Sequence, residues 1–326
     1  MNAIHVDATQ PDRPLVWRET PDPVVGPDEV LVEIHATALN RADLLQRAGN
    51  YPPPPGAPDI LGLEMAGVIR ALGDQVYEWQ QGARVCALLP GGGYAEQVVV
   101  PQAMLMPIPQ GWSFEQAAAM PEVYLTAFVN LYMEANLQPG ETVLVHGGAS
   151  GVGTAAIQLL RATDNPVIVT AGSAEKCAAC RELGANLAIN YRDEDFVDKV
   201  KEFTGGAGVD VILDMVGASY FERNLSLLRL KGRLVFIATL GGNQTALNIS
   251  ALMGRRLRLI GSVLRSRSLA EKVEIKTRFM DLFWEHLEAG TIQPVIDSVY
   301  PITQATEAQA RMAENRNIGK IVLQVR

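Results

Sequence analysis

This 326-residue sequence predicts an α/β fold in which a doubly wound parallel sheet is joined to a second, β-rich domain, and three observations carry that prediction. The first is the run TVLVHGGASGVGTAAIQLL at 142–160: an apolar strand, a turn crowded with glycine, then a helix. The second is the recurrence downstream of apolar strands separated by helical or loop segments, at 167–172, 187–191, 209–216, 233–239 and 257–264. With 142–146 these make six, and strands alternating with helices imply right-handed crossovers and a parallel sheet. The third is the different grammar of the N-terminal part. There, short β-like segments at 29–34, 68–72, 83–89 and 95–100 are punctuated by proline and glycine, as in a barrel-like all-β unit.

Taken in order, prolines 52–55 force an extended loop beside Tyr51, and 113–119 and 124–134 read as helices leading to a turn at Pro139-Gly140. In the next unit Val143, Leu144 and Val145 form a buried strand, while Ala155, Ala156, Ile157, Leu159 and Leu160 suit a helix face packed on a sheet. Between them Gly147, Gly148, Gly151 and Gly153 let the chain turn sharply and bring backbone N–H groups against phosphate oxygens at the positive end of a helix. This is the layout of a dinucleotide site. Counted from Gly148, the pattern G-x-G-x-x-G is broken by Ser150, whose hydroxyl can donate to a cofactor but narrows the gap. Past residue 264, helices at 269–289 and 304–314 and a strand at 320–325 are expected to return to the first domain. The expected division is residues 1–122 and 266–326 for the β-rich catalytic domain and 123–265 for the nucleotide-binding domain.

An Asp or Glu at the end of the second strand would favour NAD; this chain reads Thr170, Ala171, Gly172, Ser173, with Lys176 one turn later. A hydroxyl, a helix N-terminus and a cation suit a 2′-phosphate, so the expected cofactor is NADPH, with Glu175 the one nearby acid that could turn inward. Tyr191 closes the third strand, where covering the adenine, approaching the phosphate and packing against the sheet edge compete.

The net charge of −8, from 28 basic and 36 acidic residues, disfavours a general nucleic-acid or anionic-membrane binder. No run of 18 apolar residues occurs, and the opening MNAIHVDATQPDRP has neither the basic start nor the apolar centre of a secretory leader, so the expected location is cytoplasmic. The three cysteines, Cys86, Cys177 and Cys180, form no disulfide framework. Cys177 and Cys180 sit within a helix rather than at the N-terminus a redox pair needs, which favours packing.

The segments ALNRADLLQRAG (38–49), DILGLEMAGVI (59–69), LLPGGGYAEQV (88–98), HGGASGVGTAAIQL (146–159) and NIGKIVL (317–323) resemble the zinc-independent quinone oxidoreductases of the medium-chain dehydrogenase/reductase superfamily. The likeness spans the whole chain. The resemblance implies a GroES-like β-barrel catalytic domain and a Rossmann domain with NADPH in the cleft between them. It implies no metal, because Asn40, Leu63 and Glu122 stand where zinc-dependent relatives place Cys, His and Cys. His5, His35, His146 and His286 are also too scattered for a metal site.

Without a Lewis acid the carbonyl must be polarised by hydrogen bonds, or the acceptor must be electrophilic enough to need little polarisation, and a quinone meets the second condition. Tyr51 is the first candidate for the catalytic hydrogen-bond donor, with stacking on the substrate and action as a lid as its alternatives. Asn40 would contact the nicotinamide side, Asp43 would orient neighbouring polar groups, and Ser150 would bond the cofactor or influence nicotinamide placement; local backbone bonding in a turn or cap is the competing role, and the favoured one for Asp43. The implied cofactor contacts are Asn40, Thr126, Ser150, Gly151, Val152, Gly153, Ser173, Lys176, Tyr191, Gly217, Leu264 and Lys320, with Asn317 beside the last. Arg265 and Arg267 either place a cation near the pocket mouth or are solvated. The expected activity is hydride transfer from NADPH to a quinone, with enone or 2-alkenal reduction and a non-catalytic, crystallin-type NADPH binder as alternatives. A homodimer joined through the strand near 257–264 is expected, since an apolar edge needs cover.

Overall fold

The computed structural model describes residues 1–326, which divide into two compact units, Met1–Val123 with Arg265–Arg326, and Tyr124–Leu264.

In the second unit six strands form one parallel sheet in the order Leu187–Asn190, Val167–Ala171, Val143–His146, Val209–Asp214, Leu228–Phe236, Arg258–Gly261. This is the doubly wound Rossmann order, in which the connections reverse beside the first strand and ligands gather at the carboxyl ends. Every residue of Val143–His146 and Val167–Ala171 is buried, as strands covered on both faces must be. Leu144, Ile168, Ile189 and Ile212 meet Phe196, Val200 and Phe221 from the flanking helices in one apolar core.

Two boundaries differ from the sequence expectation. The strand expected from 233 starts at Leu228, because positive φ at Lys231 and a register shift interrupt its pairing with Val209–Asp214. The helix expected over 124–134 is an α-helix Pro121–Phe128 followed by a π-helical turn Val129–Glu134. The Asn130 side chain donates to the Thr126 carbonyl at 2.7 Å, competing for the acceptor that an α-helical amide at 130 would use.

In the first unit the sheet runs Ile296–Pro301, Lys320–Gln324, Glu29–Ala38, Glu64–Leu72, Arg84–Leu88, Met106–Pro107, and Gln97–Pro101 also pairs with Glu29–Ala38. The last strand of the chain thus returns to this domain, antiparallel to Glu29–Ala38. Leu39, Leu61, Tyr94, Ile302, Ile321 and Leu323 pack into its core. The helix Leu269–Glu288 buries Ile275, Phe279, Phe283 and Leu287, one face at helical spacing. A short helix, Arg41–Arg47, had no place in the sequence expectation although Asn40 and Asp43 spell its capping box. No helix is long and apolar enough to cross a membrane.

Candidate active site

At the carboxyl end of Val143–His146 the chain turns through Gly147 at φ +69°, a backbone conformation natural to glycine. Ser150 caps the helix Gly151–Ala162, its Oγ accepting from the Gly153 amide at 3.0 Å. A Cβ on Gly153 would lie 2.3 Å from the Gly147 carbonyl oxygen, so only glycine fits where helix and turn close on each other. The amides of Gly151 and Val152 have no acceptor within the protein. Two free N–H groups opening a 12-residue helix form a site for an anion, and phosphate oxygens match it. The Ser150 hydroxyl is therefore first a structural acceptor, and its proton is directed weakly to Met215 Sδ at 3.9 Å.

Ser173, at the end of the second strand, does the same for the helix Ala174–Glu182, accepting from the Lys176 amide at 3.2 Å. Tyr191 is 44% exposed, and its hydroxyl lies 2.6 Å from where a Gly172 Cβ would stand. That places the phenol over the turn at the second strand's end. Thr126 and Leu264 are buried in this unit, and Gly217, at φ +85°, opens a turn after Val209–Asp214.

A polar chain that sequence reasoning missed ties these turns together. Asp214 accepts from the Val216 and Gly217 amides at 2.6 and 3.2 Å, and from Asn224 Nδ2 at 3.1 Å. Asn224 Oδ1 is left to accept from His146 Nε2 at 2.7 Å, which leaves His146 Nδ1 to accept from the Thr170 hydroxyl at 3.0 Å. Burial drives both ionisable members toward neutrality: the Asp214 pKa is pushed up to about 6, and that of His146 down to about 4. The signal available in the sequence was a lone histidine ending an apolar strand and a lone aspartate ending another.

In the first unit Asn40, Asp43 and Lys320 come together, joined by Glu64 and Tyr94. Lys320 Nζ donates to the Leu39 carbonyl at 2.6 Å, Asn40 Oδ1 at 2.6 Å and Glu64 Oε1 at 2.7 Å, with Lys320 and Glu64 both buried. Asn40 Nδ2 donates to the same Glu64 oxygen at 2.8 Å, and the Glu122 amide donates to the other at 2.9 Å. Asp43 accepts from the Asn40 amide at 2.8 Å, the Gly62 amide at 3.3 Å and the Tyr94 hydroxyl at 3.0 Å. Desolvation pushes the Asp43 pKa up to about 6 despite these donors. The Lys320 ammonium, expected at the cofactor, is engaged inside the domain by three acceptors. Asn40 is likewise engaged through both amide atoms. Asn317 turns back on its own loop, donating to the Gly319 carbonyl at 2.7 Å.

Tyr51 is half-buried, with the Arg265 guanidinium over its ring at 5.3 Å. Burial raises the phenol's pKa while Arg265 opposes the rise. Arg265 itself is buried, its Nε donating to the Pro90 carbonyl and one terminal nitrogen to Gln46 Oε1, each at 2.8 Å. It is not a solvated arginine.

Residues 26–110 match the alcohol dehydrogenase GroES-like domain and residues 151–283 the zinc-binding dehydrogenase family. The chain is 33% identical to rat quinone oxidoreductase over 297 residues, covering 90% of this chain and 88% of that protein. It is 34% identical to the human synaptic vesicle membrane protein VAT-1 homologue over 322 residues, covering 94% and 81%. The chain belongs to the medium-chain dehydrogenase/reductase superfamily. Within this oxidoreductase superfamily, the crystal structure of Escherichia coli quinone oxidoreductase complexed with NADPH is similar at a TM-score of 0.88 and 30% identity, covering 99% of this chain and 100% of that one.

Proposed function

We propose that the protein is an NADPH-dependent quinone oxidoreductase that transfers hydride without a metal ion. The observation that carries the reading is the pairing of an amide-lined glycine turn with a second-strand end that holds Ser173 and Lys176 and no acid. The free amides of Gly151 and Val152 would hold the pyrophosphate. Ser173, Lys176 and Tyr191 would receive the 2′-phosphate, and Thr126, Gly217 and Leu264 would line the rest of the cofactor's path. Bound there, NADPH supplies the hydride.

The zinc of the family name finds no fit. No group of three or more His, Cys, Asp or Glu could hold a metal ion, and Asn40 and Leu63 offer no soft or imidazole donor. The Lys320 ammonium already supplies the cation that buried Glu64 needs. The first unit instead offers hydrogen-bond donors, Tyr51 foremost, and donors suffice for an acceptor as electrophilic as a quinone. Asn40 and Asp43 are positioning residues in this reading, since their polar atoms are committed to the network that holds the helix before Tyr51.

The strand Arg258–Gly261 ends the parallel sheet, and Met253 and Ile249 near it are 70% and 62% exposed. An unpaired edge with apolar neighbours supports a homodimer built by joining two such strands, which light scattering tests.

The function is tested by following NADPH oxidation with 1,4-benzoquinone, an ortho-quinone and a 2-alkenal, with NADH in parallel and metal analysis of the same sample. Turnover of quinones with NADPH in preference to NADH, without stoichiometric zinc, is expected. Turnover of alkenals alone would make the protein an enone reductase, and NADPH binding without turnover would make it a binding protein.

A further inference from the structure

Arg265 is 93% buried by its 7% exposure, yet it meets no carboxylate within salt-bridge distance. Its two occupied nitrogens donate to neutral oxygens, of Pro90 and Gln46, and its remaining terminal nitrogen is buried without a hydrogen-bond partner. The nearest acid acting on it is Asp43, whose own oxygens are taken by Asn40, Gly62 and Tyr94. Lys272 sits close by with its ammonium on the Arg265 carbonyl at 2.7 Å, and the acids felt in this neighbourhood, Asp43 and Glu271, form no ion pair with Arg265. Holding a guanidinium out of water without an anion is costly, and a protein recovers that cost where an anion forms or binds.

We propose that the unpartnered Arg265 nitrogen is the donor for the substrate oxygen that becomes anionic on hydride addition, so that the site selects acceptors whose reduced form is a stabilised oxyanion, the hydroquinone monoanion above all. The assignment rests on the quinone-reductase reading and deepens it. Hydride brings two electrons and one proton's worth of hydrogen to the quinone; the oxidised coenzyme and a hydroquinone monoanion result. The negative charge lies on the oxygen facing Arg265 until a proton, from water or the Tyr51 hydroxyl, completes the hydroquinone. Arg265 is suited to this because a guanidinium keeps its proton and so polarises without transferring it. The Tyr51 ring under the guanidinium and the Gln46 oxygen beside it fix the direction in which the free N–H groups point.

The experiment has two arms. In the first, Arg265→Lys and Arg265→Met are compared with wild type for kcat and KM with 1,4-benzoquinone and for NADPH affinity by fluorescence. A fall in kcat on the order of 10²-fold, with NADPH affinity unchanged, is expected for loss of a transition-state oxyanion donor. A raised KM at unchanged kcat would overturn the assignment. In the second arm 4-nitrophenol, a phenol whose colour reports its ionisation, is titrated against the wild-type protein with oxidised coenzyme. The structure requires it to bind as the phenolate with its apparent pKa lowered, and Arg265→Met to abolish the shift; binding as the neutral phenol overturns the proposal even if the variants do not fold. Should wild type oxidise no NADPH with any quinone, the functional reading fails, and the phenolate titration still decides the role of Arg265.

Discussion

The Lys320 ammonium is the element whose removal the structure prices most sharply. In Lys320→Met the Glu64 carboxylate, with no exposure to solvent, keeps its bonds from Asn40 and the Glu122 amide but loses its only cation, and the Leu39 and Asn40 oxygens lose a charged donor. Breaking a buried pair by removing one partner costs about 3–5 kcal/mol. At about 2–4 °C per kcal/mol for a domain of this size, melting of the first unit should fall by roughly 6–20 °C. Differential scanning calorimetry resolves this, since two compact units allow two transitions. Adding Glu64→Gln to Lys320→Met removes the orphaned charge while keeping an oxygen for Asn40, and should recover at least about half of the loss. The reasoning is refuted if Lys320→Met melts like wild type. If it also binds NADPH more weakly while melting unchanged, Lys320 belongs to the cofactor after all.

Three other outcomes are expected. Lys176→Ala should weaken NADPH at least about tenfold more than NADH, measured by competing fluorescence titrations, because only the former carries the phosphate; equal losses would remove Lys176 from the site. Gly153→Ala should abolish NADPH binding in a fold that still melts cooperatively, since its Cβ would lie 2.3 and 2.5 Å from the Gly147 and Gly148 carbonyl oxygens; an unchanged dissociation constant would show that the turn adapts. For His146, the folded pKa near 4 against an ordinary 6.5 means that the unfolded chain takes up a proton first as pH falls. Its contribution is full above about 6.5 and is lost toward 4, so the stability advantage of wild type over His146→Gln should shrink by about 3 kcal/mol between pH 7 and pH 4. Asp43 and Asp214, raised to about 6, work the other way by binding protons earlier in the folded state, and they cancel in this comparison. A pH-independent difference would contradict the buried neutral imidazole.

The parallel sheet was legible because its strands are short, almost wholly apolar and separated by helical segments, a pattern with few other solutions. The glycine turn was legible for a related reason: Gly147 takes a positive φ natural to glycine, and at Gly153 the backbone of the turn leaves no room for a Cβ. What stayed hidden is chemistry made by contacts distant in sequence. Lys320 lies 256 residues from Glu64, and nothing local marks either as half of a pair. Asn40 and Asp43 read from the sequence either as site residues, by type and family position, or as turn and cap residues, and the structure shows them forming a helix cap whose polar atoms face inward. For Arg265 the sequence left a cation near the pocket mouth and a solvated arginine both open; its burial comes with the Pro90 carbonyl, which the sequence places 175 residues away.

The two buried networks answer the same physical problem in opposite ways. The second unit aligns its turns through a carboxylate, Asp214, that takes three hydrogen-bond donors, and an imidazole, His146, that burial keeps without its charge, so the Gly147 and Gly217 turns are joined by a chain of directional bonds with no ion pair in it. The first unit uses a full ion pair, Lys320 with Glu64, which is expensive to bury and is worthwhile only if rigid placement of what it holds matters. What it holds is Asn40, the start of the helix Arg41–Arg47, whose far end presents Gln46 to Arg265 and leads into Tyr51. A change at Lys320 or Glu64 should therefore disturb kcat through Tyr51 and Arg265 while leaving NADPH affinity intact. A change at Asp214 or Asn224 should do the reverse, because the turns it aligns are those proposed to hold the coenzyme.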